Sequence, residues 1–420
     1  MPQLHRTGIL LGSCAAFILG CPGAAAQTAF YGAPPPSDAG VDFDGDETGL
    51  SQVPGVFAKK PFKMTFAARE GFDSNVFQTR DDPVSSFYTN WAAGLNYGVG
   101  DQRLQMQSSL GAGLTYYYTR PGEKVDFSGL FDVRVNYFAT PRLTLALETS
   151  TAYLSQPDQT IVGGNSQQNG DYVYSTTTVL VGYQWTGTIS TVTSYNFSTI
   201  FYTRSEINDQ LGYISQTFAQ SVRWLWKPRT TLVTEYRFNP ISYFSADLDS
   251  LANYFLVGFD HVFNPRLIWS ARAGLQTNFN NDPVDGSSTY FGPYGQSSLS
   301  YQFGRTSALS WNLRYGTEPS GLAEVSQRQT FRTGLVLIHG ITARISASLT
   351  VDYQGNYYDQ AGVIATFFEN VLSVGAGLRF NITRLIALEA GYQFTADISP
   401  DDAAREYTRN VVFLGINSSF

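Results

Sequence analysis

Short and long connections alternate along the chain, and this alternation limits the possible folds more than any other feature. Tight turn sequences such as "GVGDQR" at 98–103 and "NITR" at 381–384 recur about every 40 residues from position 59 onward. Longer polar connections, such as 119–124, lie between them. Antiparallel barrels join their strands in this way, with tight turns at one edge and longer loops at the other. The spacing predicts about eighteen strands, within a range of sixteen to eighteen, over residues 59–420.

Within the predicted strands, apolar and polar side chains alternate. In "FDVRVNYF", Phe131 and Val133 share one face, while Asp132 and Arg134 share the other. Charged residues are only 15% of the chain, against about a quarter in a typical soluble domain. Beyond residue 26, no apolar run approaches the roughly 18 residues that a membrane helix needs. We therefore predict an all-β fold, a single antiparallel transmembrane β-barrel with short periplasmic turns, longer extracellular loops and both termini in the periplasm.

The first 26 residues have the composition of a secretory signal peptide. An apolar core, "GILLGSCAAFILG", is followed by three alanines that end at Ala26, which predicts cleavage after that residue. Both cysteines, Cys14 and Cys21, fall inside this segment, so the mature chain is expected to contain no thiol. Lipidation at Cys21 is the alternative, but Leu19 is bulky for the position two residues before a lipidated cysteine.

Residues 27–58 are rich in proline, glycine and aspartate and show no periodicity, which predicts a disordered acidic tail on the periplasmic side. Two roles remain open for it. The tail has no gating role, or it enters the barrel and forms a salt-sensitive constriction. The second role is considered because loops of about 5 to 16 residues are expected to roof a wide barrel only partly. Its acidic residues are Asp38, Asp42, Asp44, Asp46 and Glu47.

The chain ends in "NVVFLGINSSF", a strand whose apolar face extends to the last residue. Val412, Leu414, Ile416 and Phe420 share this face. The strand is expected to pair with the first strand, "FKMTFAARE", because an open sheet edge in lipid leaves backbone groups unpaired. The pattern resembles the signal that bacterial outer-membrane proteins present to the barrel-assembly machinery, which is therefore an expected partner together with outer-membrane lipid.

Aromatic residues cluster beside the connections, as they do in the two girdles of membrane barrels. The loop-edge set is Tyr116, Tyr117, Tyr118, Tyr202, Tyr243, Tyr357 and Tyr358, and the turn-edge set is Tyr137, Trp185, Trp226 and Phe263.

The first predicted hairpin contains "REGFDSNVF", from Arg69 to Phe77. This stretch resembles a motif of an uncharacterised family of β-barrel porins, some of whose members are encoded near exopolysaccharide genes. The resemblance implies an outer-membrane barrel over roughly residues 59–420. The alternative interpretation is a polar loop tip in which Asp73, Ser74 and Asn75 simply favour a turn.

Catalytic and metal-binding chemistry is not predicted. His261 and His339 both fall at tight turns, away from the loops, and no cysteine ligands remain in the mature chain. The net charge of −7 does not favour nucleic-acid binding. We expect no enzyme activity, no cofactor and no metal.

A barrel of eighteen tilted strands is about 35 Å across, which is too wide for side chains to fill. We therefore predict a porin-like channel in the outer membrane of a Gram-negative bacterium, for passive diffusion of small polar or anionic solutes. A conduit for exopolysaccharide export, whose cargo is an oligosaccharide, and a structural or adhesive barrel are the alternatives. The oligomeric state is not predicted. The predicted pore-lining residues, among which arginine predominates, are Lys63, Arg69, Asp132, Arg134, Glu148, Glu235, Arg237, Arg272, Arg314, Arg332, Arg344, Asp352, Arg379 and Glu389.

Overall fold

The computed structural model describes residues 62–155, 170–244, 249–282, 286–322, 325–358, 367–400 and 405–420. The predicted signal peptide, the acidic tail and the lipidation site at Cys21 lie outside these ranges. Within them, no helix is both long and apolar enough to cross a bilayer.

Eighteen antiparallel strands form one closed sheet in which each strand pairs with the next and the last pairs with the first. In chain order they are β1 (Phe62–Asp73), β2 (Ser86–Gly100), β3 (Leu104–Tyr117), β4 (Val125–Phe138), β5 (Leu143–Leu154), β6 (Tyr172–Gln184), β7 (Ile189–Tyr202), β8 (Tyr213–Lys227), β9 (Thr230–Tyr243), β10 (Ser250–Asn264), β11 (Leu267–Asp282), β12 (Gly286–Gln302), β13 (Ser307–Leu322), β14 (Val325–Gly340), β15 (Ile345–Tyr358), β16 (Phe367–Asn381), β17 (Ile386–Ile398) and β18 (Tyr407–Ser419). One short helix, α1 (Ser205–Leu211), follows β7. The predicted all-β barrel of about eighteen strands is confirmed.

Local side-chain hydrogen bonds explain why the turns can be so short. In five of them, a side-chain oxygen accepts hydrogen bonds from the backbone N–H groups two and three residues later. Asp101 Oδ1, for example, lies 2.6 Å from Arg103 N and 2.7 Å from Leu104 N. These two N–H groups hold the pKa of the Asp101 carboxyl below its ordinary value. The other four turns use Thr140, Thr186, Thr342 and Thr383.

The two faces of the sheet differ in chemistry. On β1, Phe62, Met64 and Phe66 are each more than half exposed, whereas the alternating Thr65 and Ala67 are buried. Residues that are paired across neighbouring strands share a face. The large exposed apolar side chains of the other strands therefore lie on the same outer face as Phe62, Met64 and Phe66. Lipid is the environment that such an apolar outer face requires.

The turn-edge girdle lies on this outer face, with Tyr137, Trp185, Trp226 and Phe263 all exposed. The prediction for the loop edge is wrong in part. Tyr117, Tyr202 and Tyr358 are buried on the inner face, and Tyr243 shares that face. Neighbouring residues of a strand point to opposite faces, so consecutive tyrosines such as 116 and 117 cannot both face lipid.

Closure occurs between β1 and β18, a contact that we call the seam. Its register runs from Thr65 opposite Ser419 to Asp73 opposite Val411. Met64 and Phe420 extend it by exchanging two backbone hydrogen bonds of 3.0 and 2.8 Å. The predicted apolar face of β18 is exposed on the outside, where Val412, Leu414, Ile416 and Phe420 are 49, 64, 53 and 61% exposed.

Deleting Phe420 is expected to reduce the amount of barrel in the outer membrane far more than it lowers the stability of the barrel that does form. The lost stability is only the apolar surface of one ring, worth about 2 kcal/mol, and the contact of that ring with Phe66 at 6.4 Å. Membrane abundance and heat-dependent gel mobility measure the two effects separately. Normal abundance of the shortened chain contradicts the role of this residue in assembly.

Candidate functional site

The inner face of the barrel is the candidate site, and it carries the predicted lining residues. Every one of them except Arg344 lies on the inward-facing register of a strand. Arg344 does not line the wall. It precedes β15 in the turn 341–344 and is exposed there. Arg344 was predicted to lie within the strand because alternation of apolar and polar residues does not show where a strand begins.

Three carboxylates on the inner face are each shared by two arginines. Asp260 on β10 pairs with Arg223 of β8 at 2.5 Å and Arg272 of β11 at 2.8 Å. All three side chains are less than a tenth exposed. Because two guanidinium groups surround one carboxylate, the cluster keeps a net positive charge while each charge has a partner.

The other two clusters repeat this arrangement at different positions of the ring. Glu318 on β13 pairs with Arg314 at 2.9 Å and with Arg332 of β14 at 2.6 Å. Glu389 on β17 pairs with Arg69 of β1 at 3.1 Å and with Arg379 of β16 at 3.5 Å.

Two smaller groups of charged side chains also lie on the inner face. Arg237 pairs with Glu235 on β9 and donates hydrogen bonds to Tyr294 OH and Gln296 Oε1 of β12. About a quarter of the way around the ring, Arg134 of β4 pairs with Glu148 of β5.

The sequence prediction overestimates how far arginine outnumbers acidic residues on the inner face, because it missed several carboxylates there. Asp260 and Glu318, which pair with the arginines of the first two clusters, are among these carboxylates. Alternation could have found Asp260 in "FLVGFDHVF", but a strand with apolar residues on both faces hides the inner register. The missed inner-face residues are Asp73, Asp126, Arg223, Asp260, Glu318, Arg328, Glu369, Asp397 and Arg409.

The hairpin formed by the loop-edge ends of β13 and β14 leaves the wall and leans into the lumen. Pairing of β12 with β13 stops at Gly295 opposite Tyr315, whereas β13 and β14 remain paired as far as Leu322 and Val325. Both strands of this hairpin contact β11, beyond β12. We call residues 316–322 and 325–330 the inner hairpin.

A side chain from β11, on the other side of β12, holds the inner hairpin in place. Gln276 of β11 is fully buried, donates a hydrogen bond of 2.8 Å to Thr317 O and accepts one of 3.0 Å from Thr317 N. This pair of hydrogen bonds replaces the backbone pairing that a neighbouring strand would provide.

Helix α1 lies against the inner face on the other side of the lumen. Leu211 packs among the buried Tyr172, Ile200 and Tyr202 of β6 and β7, and the helix also contacts β9 and β13. Besides the loops, α1 and the inner hairpin narrow the lumen from within. The sequences of α1 and the inner hairpin do not indicate that they lie inside the lumen. Some of their contacts are with strands distant in the sequence, which come close only when the barrel has closed.

The "REGFDSNVF" motif fastens the seam. Asp73, which is fully buried, accepts three hydrogen bonds from the guanidinium of Arg409 on β18, and the shortest of them is 2.5 Å. The Asn75 side chain donates to Thr79 O and Thr408 O. Asp73 and Asn75 also accept local backbone hydrogen bonds from Asn75 N and Thr79 N, as the turn interpretation predicts, but at no more than 1% exposure they are not an exposed loop tip.

The two histidines lie on the outer face at the turn edge. His261 Nδ1 is 2.8 Å from Thr230 Oγ1, and His339 Nδ1 is 2.8 Å from Ser307 Oγ. Each pair joins the end of one strand to the start of a neighbour, which assigns the histidines a structural position. Within the described ranges, no group of histidine, cysteine and acidic side chains could hold a metal.

A closed barrel with an apolar outer face, a charged inner wall and an internal narrowing defines a membrane channel protein. The family described as "Putative beta-barrel porin 2" matches residues 62–420, and the chain belongs to it. It is accordingly a porin-like channel of the Gram-negative outer membrane, as the sequence predicts.

Solved outer-membrane barrels resemble the chain at low identity. OpdK from Pseudomonas aeruginosa, crystallised with vanillate, is 8% identical with a TM-score of 0.46, covering 86% of this chain and 99% of that one. OccAB4 from Acinetobacter baumannii is 10% identical with a TM-score of 0.45, covering 86% and 99% respectively. The siderophore receptor PirA from P. aeruginosa is 7% identical with a TM-score of 0.39, covering 86% and 80%. No curated protein matches the chain.

Replacing Asp73 by asparagine is expected to destabilise the barrel by about 3 to 5 kcal/mol, because the buried Arg409 guanidinium loses its counter-charge. The temperature at which the folded gel band disappears measures this loss. Arg80→Gln is the matched control, since Arg80 forms a more exposed ion pair with Glu406 in the adjoining loop. Equal heat stability of the Asp73 variant and the control contradicts the role of the motif in closing the seam.

Proposed function

We propose that the chain mediates passive diffusion of small polar solutes and favours anions among them. The observation that carries this proposal is the uneven distribution of charge around the inner face. Among the described side chains, the inner face of β8 to β14 carries Arg223, Arg237, Arg272, Arg314, Arg328 and Arg332, against Glu235, Asp260 and Glu318. The inner face of β4 and β5 carries Asp126, Asp132 and Glu148, against Arg134 and against Arg120 of the adjoining loop, which pairs with Asp126 at 2.7 Å.

Opposed positive and negative walls create a field across the lumen that orients polar solutes. The internal narrowing increases the effect, because a solute that passes α1 and the inner hairpin comes close to Glu318 and its two arginines. Charge is only partly screened at physiological salt, where the Debye length is about 8 Å. No catalytic step or cofactor is part of this function. Export of exopolysaccharide and a purely structural or adhesive role are the competing functions.

Swelling of liposomes that contain the protein is expected to be fast with monosaccharides and to slow steeply as the sugar becomes longer. The narrowed lumen excludes bulky solutes, whereas a polysaccharide conduit is expected to pass extended chains at similar rates. Liposomes without protein provide the control. Equal rates for short and long saccharides support the export function, and swelling no faster than the control supports a structural barrel.

Replacing Arg314 by glutamine is expected to shift the reversal potential in a salt gradient toward lower anion preference. Arg314 is the most exposed arginine of its cluster at 33%. Arg134→Gln is the matched control, because its side chain is 39% exposed and lies on the acidic side of the ring. Planar-bilayer recording compares the three proteins. An unchanged reversal potential in the Arg314 variant, or an equal shift in both, contradicts anion selection by the β8–β14 wall.

A further inference from the structure

Five arginines occupy equivalent positions at the turn edge of the barrel. Each is the last residue before a strand, and its backbone carbonyl accepts a hydrogen bond from the next strand in the ring. We call them the mouth arginines: Arg103, Arg142, Arg229, Arg266 and Arg344. Their hydrogen-bond partners, at 2.7 to 2.9 Å, are the N–H groups of Phe138, Gln184, Val262, Gln302 and Asn381.

The hydrogen-bond partners define which face the mouth arginines belong to. Gln184, Gln302 and Asn381 all lie on the inner register of their strands. Residues opposite each other in a sheet share a face. The five arginines therefore surround the periplasmic opening of the lumen, whereas Trp185 and Trp226 mark the lipid side of the same edge.

The positive charge of this ring is only partly balanced by the described residues around it, through the electrostatic interaction of Arg103 with Asp101 and the hydrogen bond from Arg229 to Phe263 O. All five mouth arginines are exposed, and none forms an ion pair with another residue that the structure describes. Asp101 is the only acidic residue in the eight turns of this edge, and its Oδ1 accepts backbone hydrogen bonds. The arginine clusters of the wall, in contrast, each contain a carboxylate.

We propose that the mouth arginines bind the chain's own acidic segment, residues 27–58. This segment contains Asp38, Asp42, Asp44, Asp46 and Glu47 and neither lysine nor arginine. It leads into β1, whose first residue Phe62 pairs with Tyr97 close to the turn edge. Attachment at this edge gives the segment an effective concentration in the millimolar range at the opening.

Length and position favour this segment over other anions. Thirty-two residues can extend over about 100 Å, several times the diameter of about 35 Å that an eighteen-stranded ring has. Phosphate groups of lipids lie outside the barrel, whereas the mouth arginines lie in turns, opposite inner-face residues of the next strand. The segment therefore reaches all five arginines without entering the wall clusters, where each guanidinium already has a carboxylate partner.

A fluorescent label at Ser37→Cys in the assembled full chain tests the proposal. The only natural cysteines, Cys14 and Cys21, fall in the predicted signal peptide, so this thiol is the single one in the mature protein. Label anisotropy is expected to be high in dilute salt and to fall in about 1 M salt, where the Debye length is about 3 Å. Neutralising the five acids of the segment is expected to give the low anisotropy at every salt concentration.

Replacing the five mouth arginines by glutamine is expected to give the same low anisotropy. The control replaces Arg305 and Arg384, which lie in turns of the same edge but not in the position directly before a strand, and it is expected to retain high anisotropy. A native label that is equally mobile in dilute and concentrated salt overturns the proposal. So does an equal loss in the control, or a change in bound phospholipid without a change in anisotropy. The variant with neutral acids leaves the barrel untouched, so the result stands even if the arginine variant fails to assemble.

Discussion

The pairing of every backbone polar group in lipid is the constraint on which the rest of this structure depends. A strand edge in hydrocarbon leaves N–H and C=O groups without partners, at a cost of several kcal/mol for each group. The chain meets this requirement by pairing β1 with β18 and by continuing the pairing to Phe420. Asp73 and Arg409 then fix the seam with a buried ion pair, which couples the first hairpin to the last strand.

Closure also determines the chemistry of the two faces. Alternation sends one side chain of each pair outward to lipid and the next inward, so most of the charged side chains of the strands face the lumen. There three carboxylates are each shared between two arginines, so each of these clusters keeps a net positive charge while its charges are paired. The channel function and the structural pairing thus use the same residues, as Arg314, Glu318 and Arg332 illustrate.

The sequence predicts what depends on local pattern. The number of strands, the alternation of turns and loops and the outward face of β18 all follow from the spacing and polarity of neighbouring residues. Tyr117 and Arg344 were misplaced because adjacent aromatics must alternate and because a turn can end one residue later than its pattern indicates. The inner hairpin is held by hydrogen bonds between Gln276 and Thr317, which are 41 positions apart and lie on either side of β12. The local sequence therefore does not predict this contact. The buried carboxylates were missed for a related reason, since apolar neighbours on both faces obscure the inner register.

The departure of the inner hairpin from the wall also limits how deeply the barrel enters the membrane. Above Gly295, the residues 286–294 of β12 pair with β11 on one side only, as far as the structure describes their neighbours. Pro293 lies in this stretch, and proline is tolerated where a strand has a free edge. Backbone groups along such an edge need water, so the level of Gly295 marks the upper limit of the hydrocarbon on this side. The point at which β12 and β13 separate is therefore expected to limit how deeply this side of the barrel enters the hydrocarbon.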